Sequence, residues 1–187
     1  MNRKRTLWIT TTAIFIALLV TTQHVTAAMS QFVTGSIVNF ILVAATILVG
    51  VSSGIVIGVI SPILAFLIIG RPPFPMVVPF IMLGNVVQVI TVYLIARKVF
   101  DKINWVAYTR MGVAVIVSSL LKFVVVWVGV VHIALPFLIP QALPPQVAMM
   151  SAAFSWPQLV TALIGSTIAM AVMPRLMRAL RISQSRE

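Results

Sequence analysis

The sequence has very little negative charge and no cysteine. Its only acidic residues are Asp101 and Glu187, and charged residues make up 8% of the chain, where average soluble domains carry roughly 25%. Neither acid falls in a long apolar stretch, so the chain lacks the intramembrane carboxylates that proton-coupled pumps and many cation carriers use. The absence of cysteine excludes disulfides, thiol catalysis and cysteine metal sites.

What the chain has in abundance is hydrophobic sequence. Hydrophobic residues are 61% of its 187 positions, a composition that suits lipid rather than water as the solvent. The pattern predicts an all-α integral membrane protein, a single domain of six transmembrane helices at about 7–23, 37–49, 55–69, 76–96, 107–133 and 156–173. A cleaved signal peptide is the alternative for the first span, since a basic start and small residues at 26–28 accompany it.

Basic residues cluster at the predicted helix ends. All but two of the 13 precede span one, join spans four and five, or follow span six: Arg3, Lys4, Arg5, Arg97, Lys98, Lys102, Arg110, Arg175, Arg178, Arg181 and Arg186. Because six spans return the chain to its starting side, the positive-inside rule predicts that both termini are cytoplasmic. This clustering also argues against nucleic acid as a partner, despite the formal charge of +11.

Two outward connections are too apolar for ordinary solvated loops. One precedes span two and contains Gln31, Thr34 and Ser36, and the other covers 135–155. They either cap the outer mouth of a cavity or lie in the membrane interface.

Lys122 is the most informative single residue, because a lysine in the middle of a membrane span costs about 2.5–3.5 kcal/mol. With no acidic partner in the membrane, it either contacts a ligand in a polar cavity or bonds carbonyl groups between helices. Asn85 and Gln88 share one face of span four, and their amides suit a heterocycle or an amide-bearing solute, or else bonds between helices.

Other side chains in the outer half are candidates to line the same cavity: Asn39, Gln158, Trp156, Gln23 and His24. Trp156 is suited to stack on a planar ligand, or to anchor in the interfacial belt. No pattern for a catalytic nucleophile, a metal site or an ATP-binding loop is present, so we expect a protein that is not an enzyme and has no cofactor or metal of its own. Any energy for transport then comes from a partner.

Several short motifs make the chain resemble the S components of energy-coupling factor (ECF) transporters. Ala13 and Ala17 form an A-x-x-x-A like that family's docking motif for its transmembrane T component. Three further segments are similar to family features: the glycine-rich run 48–58, the proline-rich loop before Gly84 and Asn85, and the start of span six at 154–158.

The resemblance implies a subunit of a bacterial cell membrane that binds a vitamin from outside, under the loops after spans one, three and five. It also implies that the subunit topples in the membrane to deliver the vitamin through the T component, while two partner subunits hydrolyse ATP. We expect cobalamin, with pantothenate, pyridoxine or hydroxymethylpyrimidine as alternatives. The absence of carboxylates within the spans argues against a strongly cationic ligand such as thiamine, and Lys122 allows an anionic or carbonyl-rich one. The alternative class is a stand-alone secondary carrier, although the two halves of the chain show no repeat.

Overall fold

The structure, a computed structural model, describes residues 3–97 and 105–184, with side chains as far as Met177. Every regular element in these ranges is helical, and six helical stretches are long and apolar enough to cross a membrane. The prediction of an all-α fold is therefore confirmed for these residues, and six of its helical stretches have the length and composition that a multi-pass membrane protein requires. The side of the membrane on which the termini lie stays a prediction.

The helices, in chain order, are α1 (Arg3–Val25), α2 (Gln31–Leu48), α3 (Val51–Leu64), α4 (Val78–Ala96), α5 (Trp105–Trp127), α6 (Pro144–Ala153) and α7 (Trp156–Gln184). Wider π-type turns extend α3 through Ala65–Ile69 and α5 through Val128–Leu138. Each of these continuous stretches contains one proline, Pro62 in the first and Pro136 in the second. A proline within a helix has no amide N–H to donate, and its ring crowds the preceding turn.

The start of α2 differs from its predicted position near 37. Gln31, Thr34 and Ser36, expected in an outward connection, lie instead in the first turns of the helix. Two of these polar side chains are satisfied within the protein: Thr34 Oγ1 donates to the Thr26 carbonyl oxygen at 2.9 Å, and Gln31 Nε2 donates to the Ala153 carbonyl oxygen. Hydropathy registers their polarity but not these bonds, so the sequence placed the helix start too late.

The second predicted connection, 135–155, contains the short helix α6 and the end of the extended α5. Three of its apolar side chains, Ile139, Met150 and Phe154, are buried in a cluster with Val126 of α5, against which Phe80 of α4 packs. This segment therefore packs over one end of the bundle and covers apolar side chains of α4 and α5 there.

Two glycines let neighbouring helices approach closely near the centre of the bundle. A Cβ atom at Gly165 of α7 would overlap backbone atoms of Ser36 and Phe40 in α2, and one at Gly84 of α4 would overlap Val126 of α5. Removing side-chain bulk in this way brings helix backbones together. These contacts place the polar residues of α2, α4, α5 and α7 within hydrogen-bonding reach of one another.

Helix α1 buries a smaller share of its residues against the rest of the protein than any of the other five spans. It is held by the buried Leu19 and by a 2.8 Å hydrogen bond between the hydroxyls of Thr12 and Ser53. Ala13 and Ala17 lie on its exposed side. The small pair is therefore not used for packing within the described bundle.

Exposed basic residues occupy helix ends that an up-and-down bundle brings to one side: Arg3, Lys4 and Arg5 at the start of α1, Arg97 at the end of α4, Arg110 early in α5 and Arg175 late in α7. The predicted basic residues Lys98, Lys102 and Arg186 lie outside the described residues, as do Asp101 and Glu187, and the side chains of Arg178 and Arg181 are likewise not described.

A candidate ligand cavity above Lys122

A cavity of about 560 Å³ lies at the end of the bundle opposite the basic helix ends. Its walls come from the C-terminal parts of α1, α3 and α5 and from the N-terminal parts of α2, α4 and α7, as an up-and-down path requires. Its lining residues are Gln23, Ala27, Met29, Gln31, Thr34, Gly35, Val38, Asn39, Ser61, Pro62, Ala65, Ile69, Gly70, Arg71, Pro72, Pro73, Ile81, Asn85, Lys122, Met149, Met150, Ala153, Phe154 and Gln158. Small-molecule sites typically measure about 300–1,000 Å³.

The floor of the cavity is a buried hydrogen-bond network centred on Lys122. This side chain is 3% exposed, and its Nζ donates to Asn39 Oδ1 at 2.6 Å and to Gln88 Oε1 at 3.0 Å. An ammonium group has three N–H donors, so one remains after these two bonds. Because Lys122 also lines the cavity, that remaining donor is available to an occupant.

The two amides that accept from Lys122 are themselves held in place. Asn39 Nδ2 donates to the Gly35 carbonyl oxygen at 2.7 Å, and Gln88 Nε2 donates to Ser166 Oγ at 3.1 Å. Each amide therefore turns its nitrogen toward a partner on α2 or α7 and its oxygen toward the ammonium. The network joins α2, α4, α5 and α7, so the position of Lys122 depends on the packing of four helices.

Asn85, one of the residues that line the cavity, carries an unsatisfied acceptor. Its Nδ2 donates to the Gly58 carbonyl oxygen at 3.0 Å, which directs its Oδ1 away from α3, and this oxygen is buried without a hydrogen-bond partner among the described residues. Gln23 Oε1 is a second buried, unpaired acceptor on a lining residue. A buried polar atom left unpaired costs about 1–3 kcal/mol, so a donor that reached either oxygen would be stabilised.

Arg71 stands at the mouth of the cavity because of the turn that precedes it. Gly70 ends the extended α3 with a φ of 70°, the left-handed conformation that glycine adopts without steric cost. The chain then enters the proline-rich loop, whose first residues line the cavity. The exposed guanidinium of Arg71 is therefore carried on a loop rather than inside a helix.

The roof on the other side of the mouth comes from α6. Met149, Met150, Ala153 and Phe154 line the cavity, and the bond from Gln31 to the Ala153 carbonyl ties the end of α6 to the start of α2. Unbranched methionine side chains adapt readily to ligand shape. This arrangement supports the interpretation of the connection as a cap, since side chains of α6 form part of the cavity wall.

The structure brings most of the predicted site residues together. Asn39, Asn85, Lys122 and Gln158 line the cavity, as does Gln23, while Gln88 lies in the floor network beneath it.

His24 and Trp156 lie outside the cavity. Both are exposed, and the Trp156 ring packs against Phe32 with their centroids 5.5 Å apart. This position corresponds to the interfacial alternative for Trp156 rather than to stacking on a ligand.

Sequence reasoning did not include Arg71 and Gln31 among the site residues. A signal for Arg71 was present in the sequence, because it lies between predicted spans three and four, a connection that faces outward when both termini are cytoplasmic. Gln31 was placed in the connection before span two, and only its position at the start of α2 brings it to the cavity and to α6.

A second groove, also about 560 Å³, lies between α5 and α7 near the opposite end of the bundle. Its lining is mostly apolar, with Tyr108 and Arg175 at its edge, and it contains none of the predicted site residues. It also contains none of the buried, unpaired polar atoms. The cavity above Lys122 is therefore the better candidate for specific recognition of a solute.

Comparison of the chain with family models, with curated proteins and with solved structures finds no match. The resemblance to ECF S components therefore rests on the short motifs described above.

Proposed function

We propose that this chain is the substrate-binding membrane subunit of an ATP-driven importer of the ECF type, an S component that captures a vitamin from outside the cell. The observation that carries the proposal is the cavity whose floor holds a buried, hydrogen-bonded lysine. The cavity opens at the end opposite the basic helix ends. If those ends face the cytoplasm, as the positive-inside rule predicts, the cavity faces outward.

The volume of the cavity favours a small vitamin. At about 560 Å³ it falls within the usual range for sites that enclose small molecules. Cobalamin, the first expectation from the sequence, is a much larger molecule than pantothenate, pyridoxine or hydroxymethylpyrimidine. We therefore place these smaller alternatives ahead of cobalamin.

The exposed face of α1 suits the docking role that the resemblance implies. Ala13 and Ala17 lie one turn apart on a span that buries few of its side chains. Small residues on an exposed helix face permit close approach by a helix of another subunit. In this proposal the partner is the T component, and two ATP-binding subunits supply the energy.

The proposal is tested with protein purified in detergent and then reconstituted into liposomes. Mass spectrometry identifies any compound that co-purifies, and calorimetry measures its binding to the isolated chain. We expect tight binding by the chain alone, but uptake into liposomes only when the T component and both ATPases are present with ATP.

Two results would contradict this proposal. Concentrative uptake by the lone chain, driven by an ion gradient, would identify a secondary carrier instead. If no vitamin co-purifies with the chain and none binds to it, the assignment as a vitamin-binding subunit is wrong.

A further inference from the structure

We propose that the cavity selects a small organic carboxylate that also carries at least one N–H or O–H donor. This inference names the substrate class of the proposed importer and rests on that function. It follows from the charges and unpaired atoms that the cavity presents, independently of the motifs that suggested the family.

The cavity presents positive charge that no described carboxylate balances. Lys122 lies at its floor and Arg71 at its mouth, and its lining contains no acidic residue. The partners of Lys122 within the protein are neutral amide oxygens, which satisfy hydrogen bonds but not charge. A buried cation without a counter-charge is costly, and an anion that enters the cavity supplies that counter-charge and stabilises the ammonium form of Lys122. A neutral solute of the same shape does not.

The two cations contribute differently to this selection. Lys122 is buried, so its interaction with an anion is weakly screened, and its third N–H is free to donate to a carboxylate oxygen. Arg71 is exposed, so its attraction is weaker, but its planar guanidinium matches a carboxylate in a two-point contact. Lys122 therefore supplies most of the preference for an anion, and Arg71 a smaller part.

Unpaired acceptors on two of the lining residues add the second requirement. Asn85 Oδ1 and Gln23 Oε1 are buried and unpaired, and each can accept a hydrogen bond. A plain carboxylate has no donor for them. An acid with hydroxyl or amide N–H groups satisfies the cations and the acceptors together.

The test compares pairs of compounds that differ in charge but little else: pantothenate with pantothenol, and nicotinate with nicotinamide. Binding to the purified full-length chain is measured by calorimetry, and mass spectrometry gives the charge class of any co-purifying compound. We expect the carboxylate of a pair that binds to be favoured by about tenfold or more over its neutral analogue.

Variants separate the charge from the rest of the site. Lys122→Met should abolish most of the preference for the carboxylate, and Arg71→Gln should reduce it by about two- to fivefold. Arg97→Gln, which removes an exposed charge at the opposite end of the bundle, is the matched control and should leave the preference intact. Asn85→Leu should weaken both members of a pair to a similar extent, because its oxygen recognises a donor rather than a charge.

Lys122→Met also removes the centre of the floor network, so its folding is checked by size-exclusion chromatography. If it does not fold, Arg71→Gln and the unmodified protein still decide the question.

A neutral or cationic compound that co-purifies, or a neutral analogue that binds as tightly as its acid, would overturn the inference while leaving the proposed importer intact. If no compound co-purifies and none of the probes binds, the proposed function fails, and this inference fails with it.

Discussion

The close approach of α2 and α7 can be tested by adding a single methyl group at Gly165. A Cβ atom at this position would overlap the carbonyl oxygen of Ser36, Asn39 Cβ and the amide nitrogen of Phe40. Two of these are backbone atoms, which cannot move aside by a rotamer change. We therefore expect Gly165→Ala to push the two helices apart and to displace Asn39, whose oxygen accepts from Lys122.

The size of the effect follows from comparison with Gly112, a glycine inside α5 that has no atom within 4 Å of the position of an added Cβ. Replacing glycine by alanine within a helix usually gains about 0.5–1 kcal/mol, and this gain is common to both variants. Overpacking costs about 1–3 kcal/mol, and it applies at Gly165 alone. Gly165→Ala should therefore be less stable than Gly112→Ala by about 1–3 kcal/mol.

The assay is thermal unfolding of both variants and the parent protein in the same detergent, followed by size-exclusion chromatography. Gly112→Ala should melt at or above the parent, and Gly165→Ala below Gly112→Ala. The affinity for the co-purifying compound should fall only in Gly165→Ala. Equal melting midpoints for the two variants would refute the close contact between α2 and α7, and with it the geometry of the cavity floor.

Two further predictions concern the partner and the orientation. Replacing Ala13 and Ala17 together by Leu should abolish both assembly with the T component and ATP-driven uptake, while ligand binding is preserved. The control Val113→Leu, on the exposed face of α5, should leave assembly, uptake and binding unchanged. Normal assembly of the double variant would reject the docking role. Reporter tags on the two termini should both be cytoplasmic, because the basic helix ends share one side. Tags on opposite sides of the membrane would contradict both the orientation and the outward-facing cavity.

The number of spans was predictable because it depends on local hydropathy. Six apolar stretches correspond to six membrane-length helical stretches among the residues that the structure describes. The boundaries were less predictable where polar side chains enter a helix, as Gln31 and Thr34 do at the start of α2. Hydrogen bonds to the carbonyl oxygens of Ala153 and Thr26 satisfy these two side chains within the protein. Hydropathy contains no information about such partners.

The candidate site was predictable in part. Lys122 stood out because a lysine within a span is expensive. Asn39, Asn85 and Gln158 stood out because their amides could contact a solute in the same cavity. His24 and Trp156 also have side chains that can contact a ligand, and they also lie near the ends of spans, yet both are outside the cavity. Residue type and depth alone do not distinguish the two groups, because the direction of a side chain around its helix depends on the neighbouring helices.

By itself, the sequence determined that the chain belongs in lipid, how many times it can cross, and which helix ends carry the positive charge. These are properties of composition along short segments. Only the tertiary structure decided that Lys122 meets Asn39 and Gln88, which lie 83 and 34 positions away along the chain. Those hydrogen bonds exist because helices separated in sequence pack side by side, and the glycines at their contacts set how near they come.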